Sequence, residues 1–189
     1  TELDDDFKLD VTWFKDYAET ANGRRLITPV RPVYEIQCDA CLQAGGGFSD
    51  TSNTYYNIRF PKAFQRRHHI SQTEAINALL AIKTLIPSNA AGLEIHVITD
   101  NMAARDVLST GKTQDDVLAA AAREIHQIEA TRDIRIRVTH APGKTLILAD
   151  ALSRAPIDKI KYKLAMSIVN NRNMKFIIPI KLAYVFSPT

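Results

Sequence analysis

Residues 71–100, SQTEAINALLAIKTLIPSNAAGLEIHVITD, decide the fold because they predict a helix followed by a buried strand. Ser71 and Glu74 form a capping-box pattern at the start of the helix, and Pro87 ends it. The residues of its apolar face recur at helical spacing: Ala75, Ala78, Leu79, Ile82 and Leu85. Leu93–Thr99 is then a short, apolar strand. A helix that leads into a buried strand is typical of α/β folds with parallel strands.

The chain after this unit continues the α/β pattern. It predicts helices over residues 102–108 and 114–131, a strand over 134–139, a turn at Pro142-Gly143 and a last helix over 148–154. The strand alternates apolar residues with arginine, so one of its faces is either exposed to solvent or occupied by a ligand.

The chain before this unit predicts a β-meander. Its strands are expected at Val33–Cys38 and Thr54–Phe60, with a third, short extended piece around His68–Ile70. The run Gly45-Gly46-Gly47 predicts a turn or a close approach of two backbones. Together these elements indicate an α/β fold with a mixed five-stranded sheet flanked by helices.

A short amphipathic helix is expected before the meander. Asn22-Gly23 would stop this helix, and a linker at residues 29–32 follows. Its apolar residues are Leu9, Trp13, Phe14, Tyr17 and Ala21. This stripe needs a surface on which to pack.

Composition bounds the class of protein. The chain has 189 residues, 46% hydrophobic and 24% charged, which fits one domain with an extension and excludes both two large domains and general disorder. Its longest apolar runs fall short of the roughly 18 residues of a membrane helix, and the start TELDDDF is unlike a signal peptide. With only two cysteines, we expect an intracellular protein with no membrane association.

Four acids fall near the ends of the predicted elements. Asp39 follows the first strand, Glu74 lies in the first turn of a helix, Asp100 ends the fourth strand and Asp150 lies in the last helix. Ligands bind beyond the carboxyl ends of parallel strands, so these acids are expected at one rim of the sheet. Carboxylates brought together repel one another unless a hard cation such as Mg²⁺ neutralises them.

Each acid also has a plain structural interpretation. Glu74 closes the capping box with Ser71, Asp100 caps the helix that begins beside it, and Asp39 is an ordinary turn acid before the glycines. Asp150 stands among apolar residues, where a solvated charge is less easily placed.

The motifs around these acids resemble a known family. They are Cys38-Asp-Ala-Cys41 before the glycine run, Ile70-Ser-Gln-Thr-Glu74, Thr99-Asp-Asn101, His140-Ala-Pro-Gly143 and Ala149-Asp-Ala-Leu-Ser-Arg154. In this order they resemble the ribonuclease H domain that follows reverse transcriptase in long-terminal-repeat and DIRS-type retrotransposon polyproteins. The segment Leu9–Gly23 is similar to the connector between polymerase and nuclease in the DIRS-type branch.

The resemblance implies a Mg²⁺-dependent endoribonuclease that cleaves the RNA strand of RNA–DNA hybrids during reverse transcription. Asp39, Glu74, Asp100 and Asp150 would bind two Mg²⁺ ions, for which Mn²⁺ could substitute. His140 matches a histidine thought to move a proton or release product, or else it is a turn histidine with a structural hydrogen bond. The candidate substrate contacts are Gln72, Asn101, Arg66, Arg67, Arg135 and Arg137, although for the arginines an ordinary solvated surface is the favoured interpretation.

The departures from the family pattern keep other functions open. Leu146 stands where the family usually has asparagine, Cys41 where serine is common, and the connection at 109–113 is too short for the basic protrusion of some cellular relatives. The alternative is therefore a weak or inactive scaffold that binds hybrid or braces a polymerase. A related nuclease or integrase acting on DNA is disfavoured, since that branch usually works with three acids.

The resemblance also implies three regions: a connector helix in 1–28, a ribonuclease H domain in 29–155 and a C-terminal extension in 156–189. Residues 157–189 carry six cations and one acid, a net charge of +5, whereas the whole chain has +3. One more helix is expected from Ile157, Ile160, Leu164 and Ile168, followed by strand-like pieces at 176–180 and 182–186. This extension would dock on the domain or contact the polymerase, which is the expected protein partner in the cytoplasm or nucleus.

Two other patterns predict little. Cys38-x-x-Cys41 has no second pair, and a strand would point its sulfurs apart, so a redox or zinc site is not favoured. His68-His69 have no acid or cysteine at zinc-like spacing.

Overall fold

A mixed six-stranded sheet lies at the centre of the protein, whose computed structural model describes residues 5–21 and 30–182. The strands are β1 (Val33–Cys41), β2 (Ala44–Ser49), β3 (Thr54–Arg59), β4 (Glu94–Thr99), β5 (Arg135–His140) and β6 (Lys175–Phe176). The helices are α1 (Asp5–Ala21), α2 (Lys62–Arg67), α3 (Ile70–Leu85), α4 (Met102–Thr110), α5 (Asp116–Arg132), α6 (Ile147–Arg154) and α7 (Lys159–Asn171). A 3₁₀ turn at Gly143–Thr145 precedes α6.

The strand order is β5-β4-β1-β2-β3-β6. The first three strands form an antiparallel meander, and β4 and β5 add to β1 in parallel. The prediction of a mixed sheet flanked by helices is confirmed. The strand number differs because the glycine run and the extension supply two strands that were not expected in the sheet, β2 and β6, whereas the expected strand at His68–Ile70 is not formed. The strand β6 pairs in parallel with β3.

The glycine run is the middle strand of the meander. The turn lies at Leu42-Gln43, and Gly46 pairs with Asp39 across the hairpin. The expected close approach is confirmed, because a Cβ on Gly46 would meet the Leu152 backbone carbon at 2.7 Å. The expected turn at the glycines is wrong, and so is the third strand at His68–Ile70, which joins two helices.

The caps of α3 and α4 also differ from the sequence prediction. The helix α3 begins at Ile70, after the N-cap His69, and the Gln72 side chain accepts a hydrogen bond from the His69 N–H at 3.2 Å. The capping box therefore uses Gln72, so Glu74 does not close it. Asn101 caps α4 by accepting from the Ala104 N–H at 2.8 Å, so Asp100 is not the cap. Both acids are left available for the rim of the sheet.

Helices cover both faces of the sheet. The larger core packs α3, α4 and α5 on one face, around residues such as Ile36, Leu79 and Ile125. The smaller core packs α6 and α7 on the other face, around Phe48 and Leu152. This arrangement encloses the centre of β1 from both sides.

The extension docks on the domain as far as residue 182. The helix α7 buries Ala165 and Val169 against α6, and Ile177, Ile180 and Leu182 pack against the larger core. The expected apolar face of α7 is wrong in part, because Ile160 is 78% exposed. Of the second strand-like piece, 182–186, all but Leu182 lies outside the described residues.

The helix α1 packs on α5 through an ion pair between Asp10 and Arg123, 2.7 Å apart. Much of its apolar surface remains exposed, including Leu9 and Phe14. The expected stop at Asn22-Gly23 lies outside the described residues. Within 5–21 and 30–182, no helix is long and apolar enough to cross a bilayer.

Side chains from the neighbouring helices cover one margin of the sheet. At the free side of β5, the Glu129 carboxylate accepts the Ile136 N–H at 2.7 Å, and the Ser109 hydroxyl donates to the Val138 carbonyl at 3.3 Å. The other margin is β6, which has only two residues and is followed by Pro179. The β5 margin is therefore partly covered, whereas β6 pairs with β3 only at Thr54 and Tyr55.

Candidate metal centre

Three of the four acids meet at the rim. One carboxylate oxygen each from Asp39, Glu74 and Asp100 lies within 4.8 Å of the other two, and we call this group the acid cluster. The parallel pairing of β1 with β4 brings Asp39 beside Asp100, and α3 places Glu74 over the same strands. Asp39 lies within β1, not after it, because the hairpin extends that strand to Cys41.

Hydrogen bonds hold Asp39 in place. The Ser153 hydroxyl donates to Asp39 Oδ2 from α6. Asn77 Nδ2 donates to the main-chain oxygens of Asp39 at 2.9 Å and Gly46 at 3.1 Å, and Tyr56 donates to Asn77 Oδ1. The strand that carries Asp39 is therefore fixed to helices on both faces of the sheet.

Burial makes the acid cluster electrostatically unfavourable without a cation. Asp39 is 5% exposed and Glu74 is 4% exposed. Burial, followed by the charges of Asp39 and Asp100, raises the pKa of Glu74 to about 9. Burial also raises the pKa of Asp39 to about 6, against the opposing effect of the Ser153 hydrogen bond.

The acid cluster has the donor set of a hard-cation site. Glu74 Oε2 is buried, and no described residue forms a hydrogen bond with it. The converging ligand atoms are all oxygen, which Mg²⁺ and Mn²⁺ prefer. Among the described residues, this is the one group of three or more acids, histidines or cysteines that has such geometry. These residues fit a divalent cation.

Glu74 predicts how stability depends on pH in EDTA. Because its pKa of about 9 lies above the ordinary 4.5, the folded state holds an extra proton between these values, and stability falls as pH rises through this window. Above pH 6.5 the slope should approach about 1.4 kcal/mol per pH unit. Glu74→Gln should flatten it, as measured by urea unfolding between pH 6.5 and 8.5.

Glu19→Gln is the matched control for this measurement. Glu19 is exposed on α1, so its replacement removes a carboxylate without relieving burial and should leave the wild-type slope. Equal slopes in wild type and Glu74→Gln would show that the acid cluster does not raise the pKa of the Glu74 carboxyl.

Asp150 lies beside the acid cluster but is already paired. Its Oδ1 accepts from Arg154 Nε at 2.7 Å, and its Oδ2 contacts Lys161 Nζ of α7. Partial burial favours a higher pKa for Asp150, but the hydrogen bonds from Lys161 and Arg154 outweigh burial and lower the pKa below its ordinary value. Its charge in turn helps to raise the pKa of Asp39, which places it at the same rim.

The loop after β5 approaches the acid cluster. His140 ends β5, is exposed and pairs with Thr99 in the parallel register. Gly143 lies against Asp100, since a Cβ at this position would meet Asp100 Oδ2 at 2.6 Å. The glycine of the His-Ala-Pro-Gly segment thus leaves space for the carboxylate.

The candidate substrate contacts are spread more widely. Gln72 donates to Asp115 at 2.8 Å and also caps α3, which leaves one N–H of its amide for a further contact. Asn101 lies next to Asp100 but uses its Oδ1 in the cap of α4. Arg66 and Arg67 are exposed in the last turn of α2. On the edge strand β5, Arg135 and Arg137 are also exposed.

The remaining sequence features are structural. Cys38 is buried and Cys41 is partly buried, and neither forms a disulfide. The His68 ring packs at a tilt against the Phe64 ring, and His69 contacts Asp115 at 3.3 Å. Leu146 is buried in the smaller core, where an asparagine amide would need polar partners.

The sequence did not predict a role at the metal centre for three residues. Ser153 lies inside the Ala149–Arg154 motif, and Asn77 is a polar residue on the apolar helix α3, a pattern that marks a buried hydrogen-bonding role. Lys161 belongs to a basic helix, and no local pattern distinguishes it from its neighbours.

Comparison with solved structures supports the fold. Ribonuclease H1 from the halophilic archaeon Halobacterium salinarum matches with a TM-score of 0.50 and 16% sequence identity, over 68% of this chain and 99% of that chain. No family model and no curated protein matches the sequence. The chain has a ribonuclease H-like α/β fold.

Proposed function

We propose that this chain is a divalent-metal-dependent endoribonuclease that hydrolyses the RNA strand of RNA–DNA hybrids. The observation that carries the proposal is the acid cluster, in which three carboxylates converge and the buried Glu74 Oε2 has no hydrogen-bond partner among the described residues. The ribonuclease H-like fold supports it, and the solved neighbour is named a ribonuclease H1.

The residues of the metal centre would have different roles. The acid cluster and Asp150 would hold two Mg²⁺ ions, or Mn²⁺ in their place. When bound, such ions activate a water and stabilise the leaving 3′ oxygen. The Ser153 hydroxyl orients the Asp39 carboxylate, and the exposed His140 would help to move a proton or to release product. Hydrolysis by water requires no covalent intermediate with the protein.

Substrate recognition would use shape and charge. A hybrid is recognised through 2′-hydroxyls and phosphates, not through its sequence. We propose Gln72 and Asn101 as contacts close to the acids and Arg66 and Arg67 as phosphate contacts. Arg135 and Arg137 would be additional phosphate contacts on β5.

The second candidate is a scaffold that binds hybrid without cutting it. Two observations favour it: both oxygens of Asp150 already contact cations, and Leu146 is packed in a core instead of presenting a polar group. It predicts binding without turnover.

We further propose a retroelement reverse transcriptase as the parent protein. The exposed apolar residues of α1 support a connector in 1–28 that contacts a polymerase region. The ribonuclease H domain would occupy 29–155 and the extension 156–189, in a protein of the cytoplasm or nucleus.

A substrate panel tests the function directly. The protein is incubated with labelled RNA–DNA hybrid, single-stranded RNA and duplex DNA, in Mg²⁺ and in EDTA. We expect cutting of the hybrid's RNA strand alone, and only with Mg²⁺. Hybrid that is retained in a gel-shift assay but never cut would favour the scaffold, and cutting of duplex DNA would contradict the assigned substrate.

A further inference from the structure

We propose that Lys161 is a tethered cation that holds the place of a second divalent ion at Asp150. The metal-free centre then takes one ion at the acid cluster, and a second ion binds only when Lys161 withdraws. This inference rests on the proposed metal-dependent function and deepens it. It assigns a role to the extension, which carries none of the family motifs.

The capping and packing of α7 fix the position of Lys161. The Asp158 side chain caps α7 by accepting the N–H groups of Ile160 at 2.7 Å and Lys161 at 3.1 Å. Ala165 lies one helical turn further on and is fully buried against α6. The Lys161 side chain is 33% exposed and reaches Asp150 Oδ2 on the neighbouring helix. Lys161 is therefore held between a fixed helix start and a packed helix face.

Lys161 and Arg154 occupy both oxygens of Asp150. Arg154 contacts Oδ1, four residues along the same helix, and Lys161 contacts Oδ2 from α7. A divalent ion between Asp150 and the acid cluster would need one of these oxygens. Lys161 is the partner that can leave, because its long side chain ends in a single ammonium group that water readily solvates.

The net charge of the centre also favours one divalent ion over two while Lys161 is in place. When a bound cation keeps all four carboxylates ionised, these acids and the two cationic side chains together carry a net charge of −2. One divalent ion neutralises this centre, whereas a second would leave an excess of positive charge before any phosphate arrives. Removal of the Lys161 charge should therefore favour the second ion.

Counting bound Mn²⁺ tests this inference without any cleavage assay. Free Mn²⁺ is followed by electron paramagnetic resonance while it is titrated into wild type and Lys161→Met. We expect one equivalent bound by wild type, and a second in Lys161→Met with affinity about tenfold or more above any second site of wild type, as loss of one half-buried charge implies. Lys161→Gln repeats the measurement with a polar side chain.

Two variants control the interpretation. Lys163→Met removes the same charge from an exposed position of α7 and should bind one ion, like wild type. Asp150→Asn combined with Lys161→Met should lose the second ion. Equal binding by wild type, Lys161→Met and Lys161→Gln overturns the role of Lys161, and hybrid cutting then still supports the proposed function. If none of these proteins takes up Mn²⁺, both proposals fail.

Discussion

Asp39→Asn is expected to lower hybrid cleavage by about a thousandfold or more, which is typical when a central member of a catalytic group is removed. Asp39 lies near the carboxyl end of β1, and its carboxylate converges with those of Glu74 and Asp100, so it would help to hold the bound metal. An asparagine amide carries no charge and offers only one oxygen. The rate of RNA cleavage in Mg²⁺ measures the effect.

Stability separates this loss from unfolding. Because burial raises the pKa of Asp39 to about 6, its ionised carboxylate destabilises the folded, metal-free protein at pH 7.5. The neutral amide should therefore give an equal or higher melting temperature in EDTA, while the rise caused by Mg²⁺ should disappear.

Asp106→Asn is the matched control for this variant. Asp106 is exposed on α4 and pairs with Arg105, so the same chemical change should preserve both cleavage and melting temperature. Asp39→Asn with more than a tenth of wild-type activity would mean that the chemistry lies elsewhere.

Gly46→Ala is expected to destabilise the protein by at least about 3 kcal/mol, the upper end of usual overpacking costs. The new Cβ would lie 2.7 Å from the Leu152 carbonyl carbon and 2.7 Å from the Ser153 nitrogen. These are main-chain atoms of α6, so the helix must shift as a unit. The melting temperature should fall by about 6–12 °C, as read by circular dichroism.

The shift of α6 should also weaken the metal centre. Ser153 and Asp150 both lie on that helix, and Ser153 positions Asp39. In Gly143→Ala, by contrast, the three atoms nearest to the new Cβ belong to the Asp100 side chain, with the carboxylate oxygen Oδ2 at 2.6 Å, and none is a main-chain atom. It should retain the melting temperature while weakening Mg²⁺ binding. Equal melting temperatures for Gly46→Ala and wild type would contradict the close packing of α6 on β2.

The sequence predicted those elements whose pattern is local. The apolar spacing of α3 and the apolar run of β4 were sufficient to predict a helix and a strand, and Asp100 was expected at the end of that strand. Because the parallel strands end at the same rim, the meeting of three distant acids also followed from the predicted order.

The errors arose where distant contacts override local pattern. Gly45–Gly47 have no strand propensity, yet they form β2 because only glycine allows α3 and α6 to approach both faces. His69 caps α3 in place of Ser71, since α2 ends directly before it. The face of α7 was misassigned because small residues, Ala165 and Val169, make its contact with α6.

The contact between Lys161 and Asp150 could not be predicted from local sequence for another reason. Its contact with Asp150 depends on the angle between two helices, which periodicity does not specify. The role of the extension at the centre therefore becomes visible only in three dimensions.

The covered margins of the sheet bear on how the protein behaves when concentrated. Exposed sheet edges are the usual starting points of edge-to-edge polymerisation and amyloid-type growth. Here Glu129 and Ser109 use main-chain groups of β5 that an incoming strand would need, and Pro179 follows the two-residue β6. At the β5 edge these contacts disfavour self-association through main-chain pairing, independently of any catalytic role.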